Sequence, residues 1–201
     1  MVLMVSNPHL SIEDGLPAGH REAAAHLFWD AFKAKLSLVM KPESRALAYL
    51  ASNIDPDHAI SAVSAGGELL GVAGYKTSKG GFVGGGLPEL CAVYGWIGGV
   101  WRGFVLSLLD RPIEARTLQM DGIFVAAEAR GQGVGTKLLD AVKQKARDLD
   151  CASVRLDVID TNPRARKLYE REGFVAQETH ETGLFRHVFG FRSSTRMVCL
   201  L

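Results

Sequence analysis

The sequence predicts an α/β domain, one that contains both helices and strands. Two observations lead to this fold class. Short apolar runs typical of strands alternate along the chain with amphipathic helical patterns. Two of the strand candidates are also separated by a short run of turn-forming residues, which predicts an antiparallel hairpin. Since 201 residues are enough for one domain with a sizeable core, we expect residues 1–201 to form a single domain.

The composition is that of an ordinary globular protein, with 47% hydrophobic and 22% charged residues. The net charge of +1 does not favour a dedicated nucleic-acid binder, so we expect no nucleic-acid partner. Three widely spaced cysteines and scattered histidines form neither a C-x-x-C pair nor a metal-ligand cluster. We therefore expect no metal, no disulfide framework and a reduced, cytoplasmic location.

The first ten residues begin apolar but lack a basic region, and Pro8 interrupts them early. This stretch is too short for a signal peptide, so an edge strand is the expected structure.

The N-terminal part of the chain predicts two helices and then the hairpin. Apolar residues recur at helical spacing from Ala24 to Leu38, which predicts the first helix. Residues 41–53 predict the second, with a proline near its first turn, where a missing N–H is tolerated. The hairpin pairs strand candidates at 58–63 and 69–75.

Residues 77–115 form a candidate insertion with an apolar helical pattern. Glycines at 80–86 precede it, and from Pro88 onward apolar residues recur every three or four positions, which predicts one helix of about twenty residues. Glu89 and Arg102 interrupt the apolar pattern, so a membrane span is disfavoured, and Gly95, Gly98, Gly99 and Gly103 weaken the segment as a helix. A helix that packs in the core or in a homodimer, and a flap over a substrate site, are the remaining alternatives. The aromatic residues of this segment are Phe82, Tyr94, Trp96, Trp101 and Phe104.

The C-terminal half begins with a strand candidate at 115–125 and a glycine-rich turn. A helix follows whose apolar face runs from Leu138 to Leu149, and residues 152–159 predict another strand. A compact helix is then punctuated at both ends by Asn162 and Gly173.

The tail, residues 183–201, offers two further strand candidates.

An arginine and three alternating glycines lie between the strand and the first of these helices: Arg130, Gly131, Gly133 and Gly135. Backbone N–H groups in such a turn, together with a helix N-terminus, can hold a phosphate, although a tight turn that only packs the helix is the alternative. The spacing excludes two familiar phosphate motifs. A P-loop needs lysine where Thr136 stands, and a dinucleotide fingerprint needs glycine at Thr136 or Leu138.

The pattern R-x-x-G-x-G, formed by Arg130, Gly133 and Gly135, resembles the coenzyme A site of the GCN5-related N-acetyltransferases, the GNAT family. The downstream segment resembles the second signature of that family, N-x-x-A-x-x-L-Y-x-x-x-G-F. Its matching residues are Asn162, Ala165, Leu168, Tyr169, Gly173 and Phe174. The resemblance implies a GNAT fold: a mixed, mostly antiparallel twisted sheet flanked by helices, with a helical insertion between the third and fourth strands.

The resemblance also implies an activity, the transfer of an acetyl group from acetyl-CoA, a cosubstrate, to a primary amine by direct attack in a ternary complex. The backbones of Phe124, Val125 and Ala127 would pair with the pantetheine arm. Asn162 would contact the cofactor or simply cap its helix. The residues expected at the pyrophosphate are Arg130, Gly131, Gln132, Gly133, Val134, Gly135 and Thr136.

Two residues are candidates for catalysis. Tyr169 matches the general acid of the family, with a core tyrosine as the alternative. Asp121 is the nearest carboxylate for a general base, and strand alternation predicts that it shares a face with Ile123 and Val125. A salt-bridged aspartate, or one at the end of a turn, is the alternative. The acceptor stays open between a small-molecule amine and a protein N-terminus. A non-catalytic acyl-CoA-binding module of the same fold is the alternative function.

Overall fold

The computed structural model describes residues 10–107, 113–183, 186 and 190–201. The strands are β1 (Leu10–Asp14), β2 (Ala59–Ser64), β3 (Leu69–Thr77), β4 (Gly80–Gly81), β5 (Thr117–Val125), β6 (Ser153–Ile159), β7 (Val175–Glu181) and β8 (Ser193–Leu200). The helices are α1 (Arg21–Leu36), α2 (Glu43–Asn53), α3 (Leu87–Tyr94), α4 (Trp96–Ser107), α5 (Val134–Asp148) and α6 (Pro163–Arg171).

Within these residues, the strands form one sheet in the order β1-β2-β3-β5-β6-β8-β7, and the short β4 pairs with β3. Only β5 and β6 run parallel; the other described pairs are antiparallel. The predicted fold class, a mixed and mostly antiparallel sheet flanked by helices, is confirmed.

Two hydrophobic clusters hold the layers together, one on each face of the sheet. On one face, Leu138, Leu139 and Val142 of α5 pack against β2, β3, β5, β6 and β8. On the other face, α1, α2 and α3 cover the sheet around Trp29 and Phe124. Burial of these apolar side chains provides the main favourable free energy for folding.

Most predicted elements are found where the sequence placed them, and the errors lie at their ends. The hairpin, α1, α2, β5, α5, β6 and α6 all form. Leu38 and Leu149 were assigned to apolar helix faces, and both assignments were wrong, because each residue lies beyond the end of its helix and is exposed. The strand expected at the N-terminus falls mainly on residues 1–9, outside the described residues, while β1 lies at the sheet edge.

The predicted helix of about twenty residues is instead two helices, α3 and α4. Gly95 separates them with a φ of 76°, a left-handed conformation that glycine adopts without a Cβ penalty. The chain folds back so closely that a Cβ on Gly99 would lie 2.6 Å from Cys91 Cα. None of the described helices is long and apolar enough to cross a membrane.

The tail prediction was also partly wrong. The predicted range contains one described strand, β8, and its antiparallel partner β7 lies earlier, at Val175–Glu181. Residues 184–185 and 187–189 of that range lie outside the described part. The sequence VAQETHE lacks an apolar alternation because almost all of β7 is exposed, so backbone pairing with β8 defines it.

Candidate functional site

The sheet opens at its only described parallel pair. Strands β5 and β6 are in register at three positions, Thr117 to Gln119 against Ser153 to Arg155, and no further pairing follows. Beyond Gln119, β5 continues to pair with β3, and β6 continues to pair with β8. The divergence leaves one edge of β5 without a strand partner in the described structure, and such an edge can pair with an extended amide-rich ligand.

The phosphate-loop candidate lies at the end of this open edge. Gly131 and Gly133 both have a φ of 81°, and a Cβ added at either position would meet no atom within 4 Å. Gly133 is the N-cap of α5, so the backbone N–H groups of residues Val134 to Thr136 lie in the first turn of that helix. An exposed turn of this kind leaves backbone donors open to an anion.

The two longer side chains of the loop are held by backbone carbonyls. Arg130 donates from Nε to Val125 O at 2.9 Å, and Gln132 donates from Nε2 to Glu128 O at 2.8 Å. The Arg130 bond joins the end of β5 to the start of the loop, and it orients an exposed guanidinium there.

The hydrogen bonding of β5 argues against one expected cofactor contact, the backbone of Phe124. Ala126 donates its N–H to Leu70 O, and Val72 is paired with Phe124, so the polar backbone groups of Phe124 are directed at β3. Its ring is buried against Phe28, with centroids 5.2 Å apart. Because backbone directions alternate, Ile123 and Val125 direct their backbone toward the open edge instead. Ala127 opens the turn that follows β5, and its cofactor role stays a prediction.

Tyr169 lies on α6 and lines a large cavity that reaches the open edge of β5. The side chain is almost fully buried, and its ring packs 5.9 Å from the Phe174 ring. Burial raises the pKa of the Tyr169 hydroxyl to about 12, because the phenolate would lose its hydration. The hydroxyl stays protonated at neutral pH and can donate a hydrogen bond into the cavity.

Asn162 caps α6. Its Oδ1 accepts a hydrogen bond from the Ala165 N–H at 3.1 Å, and Pro163 occupies the first helical position. The capping interpretation is confirmed. Asn162 also lines the cavity, and its contact with a cofactor stays a prediction.

Asp121 faces a different side of the sheet from the one predicted. Gly74 pairs with Gly122 while Tyr75 pairs with Met120, so Asp121 is the extra residue of a β-bulge. Its Oδ2 accepts a hydrogen bond from the Phe82 N–H at 3.3 Å, on the face covered by α1 and α2. The prediction that Asp121 shares a face with Ile123 and Val125 was wrong, because those two side chains pack against the cluster on the α5 side of the sheet.

Asp121 still lines the cavity, and its Oδ1 lies 3.9 Å from Lys76 Nζ. The salt-bridged alternative is thus present, and a role in proton transfer stays a prediction.

The cavity has a volume of about 960 Å³. Its described walls come from α1 to α4, from the segment before α3, from the divergent ends of β5 and β6, from α6, and from parts of β3, β7 and β8. Two polar residues that the sequence did not single out, Gln119 and Asp157, also line it. Both lie on strands that were predicted, but only the divergence of β5 from β6 reveals that they face a common space.

Among the described residues, no group of three or more His, Cys, Asp or Glu side chains is arranged to hold a metal ion. Cys91, Cys151 and Cys199 are free thiols.

Comparison with known proteins identifies the family. The model of the acetyltransferase (GNAT) family matches residues 21–174. The thialysine N-epsilon-acetyltransferase of Bos taurus is 40% identical over 60 residues, which is 30% of this chain and 35% of that protein. The Sus scrofa protein of the same name is 40% identical over 58 residues, 29% of this chain and 34% of that protein. The chain spans about a third of the length of these curated relatives.

A GCN5-related N-acetyltransferase from Kribbella flavida has the same fold, with a TM-score of 0.64 and 20% identity over 96% of this chain and 98% of that one. Because the family match covers most of the chain, the chain belongs to the GNAT family of acetyltransferases.

Proposed function

We propose that the protein is an acetyl-CoA-dependent N-acetyltransferase that acts on a primary amine by direct attack in a ternary complex. The observation that carries the proposal is the cavity of about 960 Å³, which Tyr169 and the open edge of β5 share with the polar groups of the sheet. One connected space can hold a thioester and an amine side by side, and such proximity accounts for a large part of the rate of two-substrate reactions.

The cofactor side of the site fits coenzyme A. The first turn of α5 and the glycines at 131 and 133 leave backbone donors and open space for a pyrophosphate, and Arg130 adds a positive charge at the same loop. The edge of β5 at Ile123 and Val125 would pair with the amides of the pantetheine arm. Acetyl-CoA supplies the acetyl group as a thioester.

Tyr169 is the proposed general acid. Departure of the thiolate leaves a negative sulfur, and the Tyr169 hydroxyl, which is protonated at neutral pH, can donate a hydrogen bond or a proton to it. The backbone N–H of Val125 is the proposed donor to the oxygen that becomes negative at the thioester carbonyl.

Asp121 is the proposed proton acceptor for the amine. An ammonium has no lone pair, so it must lose a proton before it attacks, and Asp121 is a carboxylate on the wall of the same cavity. Its hydrogen bond from Phe82 holds it in place. A small-molecule amine is the proposed acceptor, with a protein N-terminus as the alternative. A homodimer and a cytoplasmic location stay predictions.

The test is a thermal melt of the protein with acetyl-CoA, with coenzyme A, and with ATP and NAD as controls. A ligand at about a hundred times its dissociation constant stabilises the protein by about 2.7 kcal/mol, which moves the midpoint visibly. We expect a shift with acetyl-CoA and coenzyme A only, and free thiol release when an amine is added. A shift without thiol release from any amine would favour the non-catalytic acyl-CoA-binding module, and no shift would contradict both.

A further inference from the structure

The described lining of the cavity combines an apolar wall with a few polar groups. Helices α1 to α4 contribute mostly apolar side chains, and the strands contribute both apolar and polar side chains. The apolar residues of the helical wall include Phe28, Phe32, Leu50, Leu90, Phe104 and Leu106. Phe104 is 66% exposed although it belongs to this wall. An apolar ligand body would cover that ring and remove it from water.

One polar group of the strands is buried without a partner. Gln119 is only 7% exposed, it lines the cavity, and its Oε1 accepts no hydrogen bond from any described residue. Buried polar atoms are nearly always paired, since an unpaired one costs about 1–3 kcal/mol. A ligand N–H group in the cavity would satisfy this oxygen.

The charges that surround Gln119 are largely balanced. Its neighbours across the sheet are Lys76 on β3 and Arg155 on β6. Lys76 lies 3.9 Å from Asp121. Arg155 is almost fully buried and bonds Glu114 at 2.8 Å and Asp157 at 3.5 Å.

The charge balance limits the number of positive charges that the cavity can receive. Of the carboxylates on its described lining, Asp121 and Asp157 already face cations, and Glu181 is the remaining one. A polycation such as a polyamine or an aminoglycoside needs several uncompensated carboxylates, because burying an unpaired charge is costly. A single amine on an apolar body needs only one or two polar partners.

We propose that the acceptor is a primary monoamine carried on an aryl or alkyl body. Gln119 accepts a hydrogen bond from the amine nitrogen beside Asp121, and the wall formed by α1 to α4 packs against the body. This assignment of substrate class rests on the proposed function for the reaction itself. The binding of the amine is a separate property and can be measured without turnover.

The first experiment is calorimetric titration of the protein, saturated with coenzyme A, by four amines: 2-phenylethylamine, octylamine, spermidine and kanamycin. We expect both apolar monoamines to bind at least about tenfold more tightly than either polycation, since tenfold corresponds to one well-placed apolar contact or hydrogen bond. Equal or tighter binding of the polycations, or no binding of any monoamine, would overturn the inference.

Thiol release, measured with the same four amines, separates the two proposals. If the apolar monoamines bind and no amine releases thiol, the proposed function fails while the ligand class stands. If the polycations both bind and react better, the proposed function stands and the ligand class is wrong.

Two variants test the residues. Phe104→Ala should weaken binding of octylamine at least about fivefold, an effect of the size expected for lost apolar contact area. Its control is Ile97→Ala on the same helix, since Ile97 is 84% exposed and absent from the cavity lining. Equal affinities in the two variants would exclude α4 from the site.

Gln119→Leu removes the unpaired oxygen and keeps the approximate volume. We expect amine affinity to fall about tenfold, while the melting temperature without ligand is unchanged or higher, because the orphaned polar atom is gone. A purely structural glutamine would give the opposite pattern, with lost stability and unchanged affinity. Gln119→Asn is the second variant, which keeps a polar amide and should retain part of the affinity.

Discussion

Asp121 and Phe82 are joined by a hydrogen bond in which the Phe82 N–H donates to Asp121 Oδ2 at 3.3 Å and is shared with Tyr75 O at 3.1 Å. The bond connects the bulge of β5 to the segment that leads into α3. The Phe82 ring is fully buried and packs directly on Gly74 of β3. A Cβ added to Gly74 would lie 2.6 Å from Phe82 Cγ, so only glycine leaves room for the ring. The carboxylate proposed as a proton acceptor is thus also an anchor for the chain, and substitutions can separate the two roles.

Asp121→Asn keeps an oxygen for the Phe82 N–H but cannot accept a proton from an ammonium at neutral pH. We expect kcat/KM for an amine to fall at least about tenfold, with stability changed by less than about 1 kcal/mol. Asp121→Ala removes the anchor as well, and it should lose activity together with about 1 kcal/mol of stability, since the Phe82 N–H keeps its bond to Tyr75 O. Steady-state kinetics and urea unfolding give both values, and full activity of Asp121→Asn would leave Asp121 as an anchor only.

Tyr169→Phe deletes the proposed acid and little else. The expected result is a fall in kcat of at least about tenfold with nearly unchanged affinity for acetyl-CoA, as measured by calorimetry. Tyr75→Phe is a matched control, because Tyr75 is buried too, but its hydroxyl donates to Asp57 O and is absent from the cavity lining. Similar kcat values in the two variants would exclude Tyr169 as the acid.

The buried Tyr169 hydroxyl should also make the protein sensitive to alkali. Its pKa is raised to about 12, whereas an unfolded tyrosine has a pKa near 10. As the pH rises through this interval, the unfolded chain releases the proton and the folded protein keeps it, so this part of the stability is present below about pH 10 and is lost above it.

Unfolding free energies measured from about pH 9 to about pH 11 should therefore fall about 1 kcal/mol further in the parent protein than in Tyr169→Phe. Other buried tyrosines with raised pKa values, Tyr49, Tyr75 and Tyr94, are common to both proteins and cancel in the difference. If the unfolding free energies of the two proteins fell equally over this pH range, the Tyr169 hydroxyl would be hydrated in the folded protein and its pKa would not be raised.

Gly133→Val should abolish binding of coenzyme A. The side chain would occupy the open space over the first turn of α5 and would force a β-branched residue into a left-handed conformation. Gly67→Val is the control, since Gly67 has nearly the same φ, 80°, and equally open surroundings, but lies in the β2–β3 turn. Both variants should lose similar stability, and a loss of cofactor affinity in both or in neither would remove the loop from the site.

Gly99→Ala tests the close contact of α3 with α4. A Cβ there would stand 2.6 Å from the Cα and backbone N of Cys91, so we expect a loss of about 1–3 kcal/mol. In Gly98→Ala the nearest atom is the flexible end of Arg102 at 3.1 Å, and the change should be nearly neutral. In one continuous helix both substitutions would be stabilising, because alanine is the better helix former, and that result in a melt would contradict the two-helix arrangement.

The sequence by itself predicted those parts whose signals are local. Asn162, Pro163 and Gly173 delimit α6 through interactions within a few residues of each other, so their pattern can be read without knowing the rest of the fold. The glycines of the loop before α5 are of the same kind, and the hairpin of β2 and β3 follows from the alternation and turn between them. These local signals were enough to indicate the family and the helix that carries Tyr169.

Only the tertiary structure decided which residues face the cavity. Alternation predicted a common face for Asp121, Ile123 and Val125, but the bulge adds one residue to β5 and turns Asp121 to the other face. Gly95 ends α3, and the chain there returns to pack on itself. The glycines of this segment weaken a helix, but the apolar periodicity continues across the break and does not show which glycine ends the helix. Gln119 lies at the last paired position before β5 and β6 diverge, and this places it on the cavity wall. The two strands are distant in sequence, so their divergence cannot be predicted from local patterns. The spacing of apolar residues along the chain predicts which local element they form. The neighbouring strand and the register of its pairing depend on the packing of the whole chain.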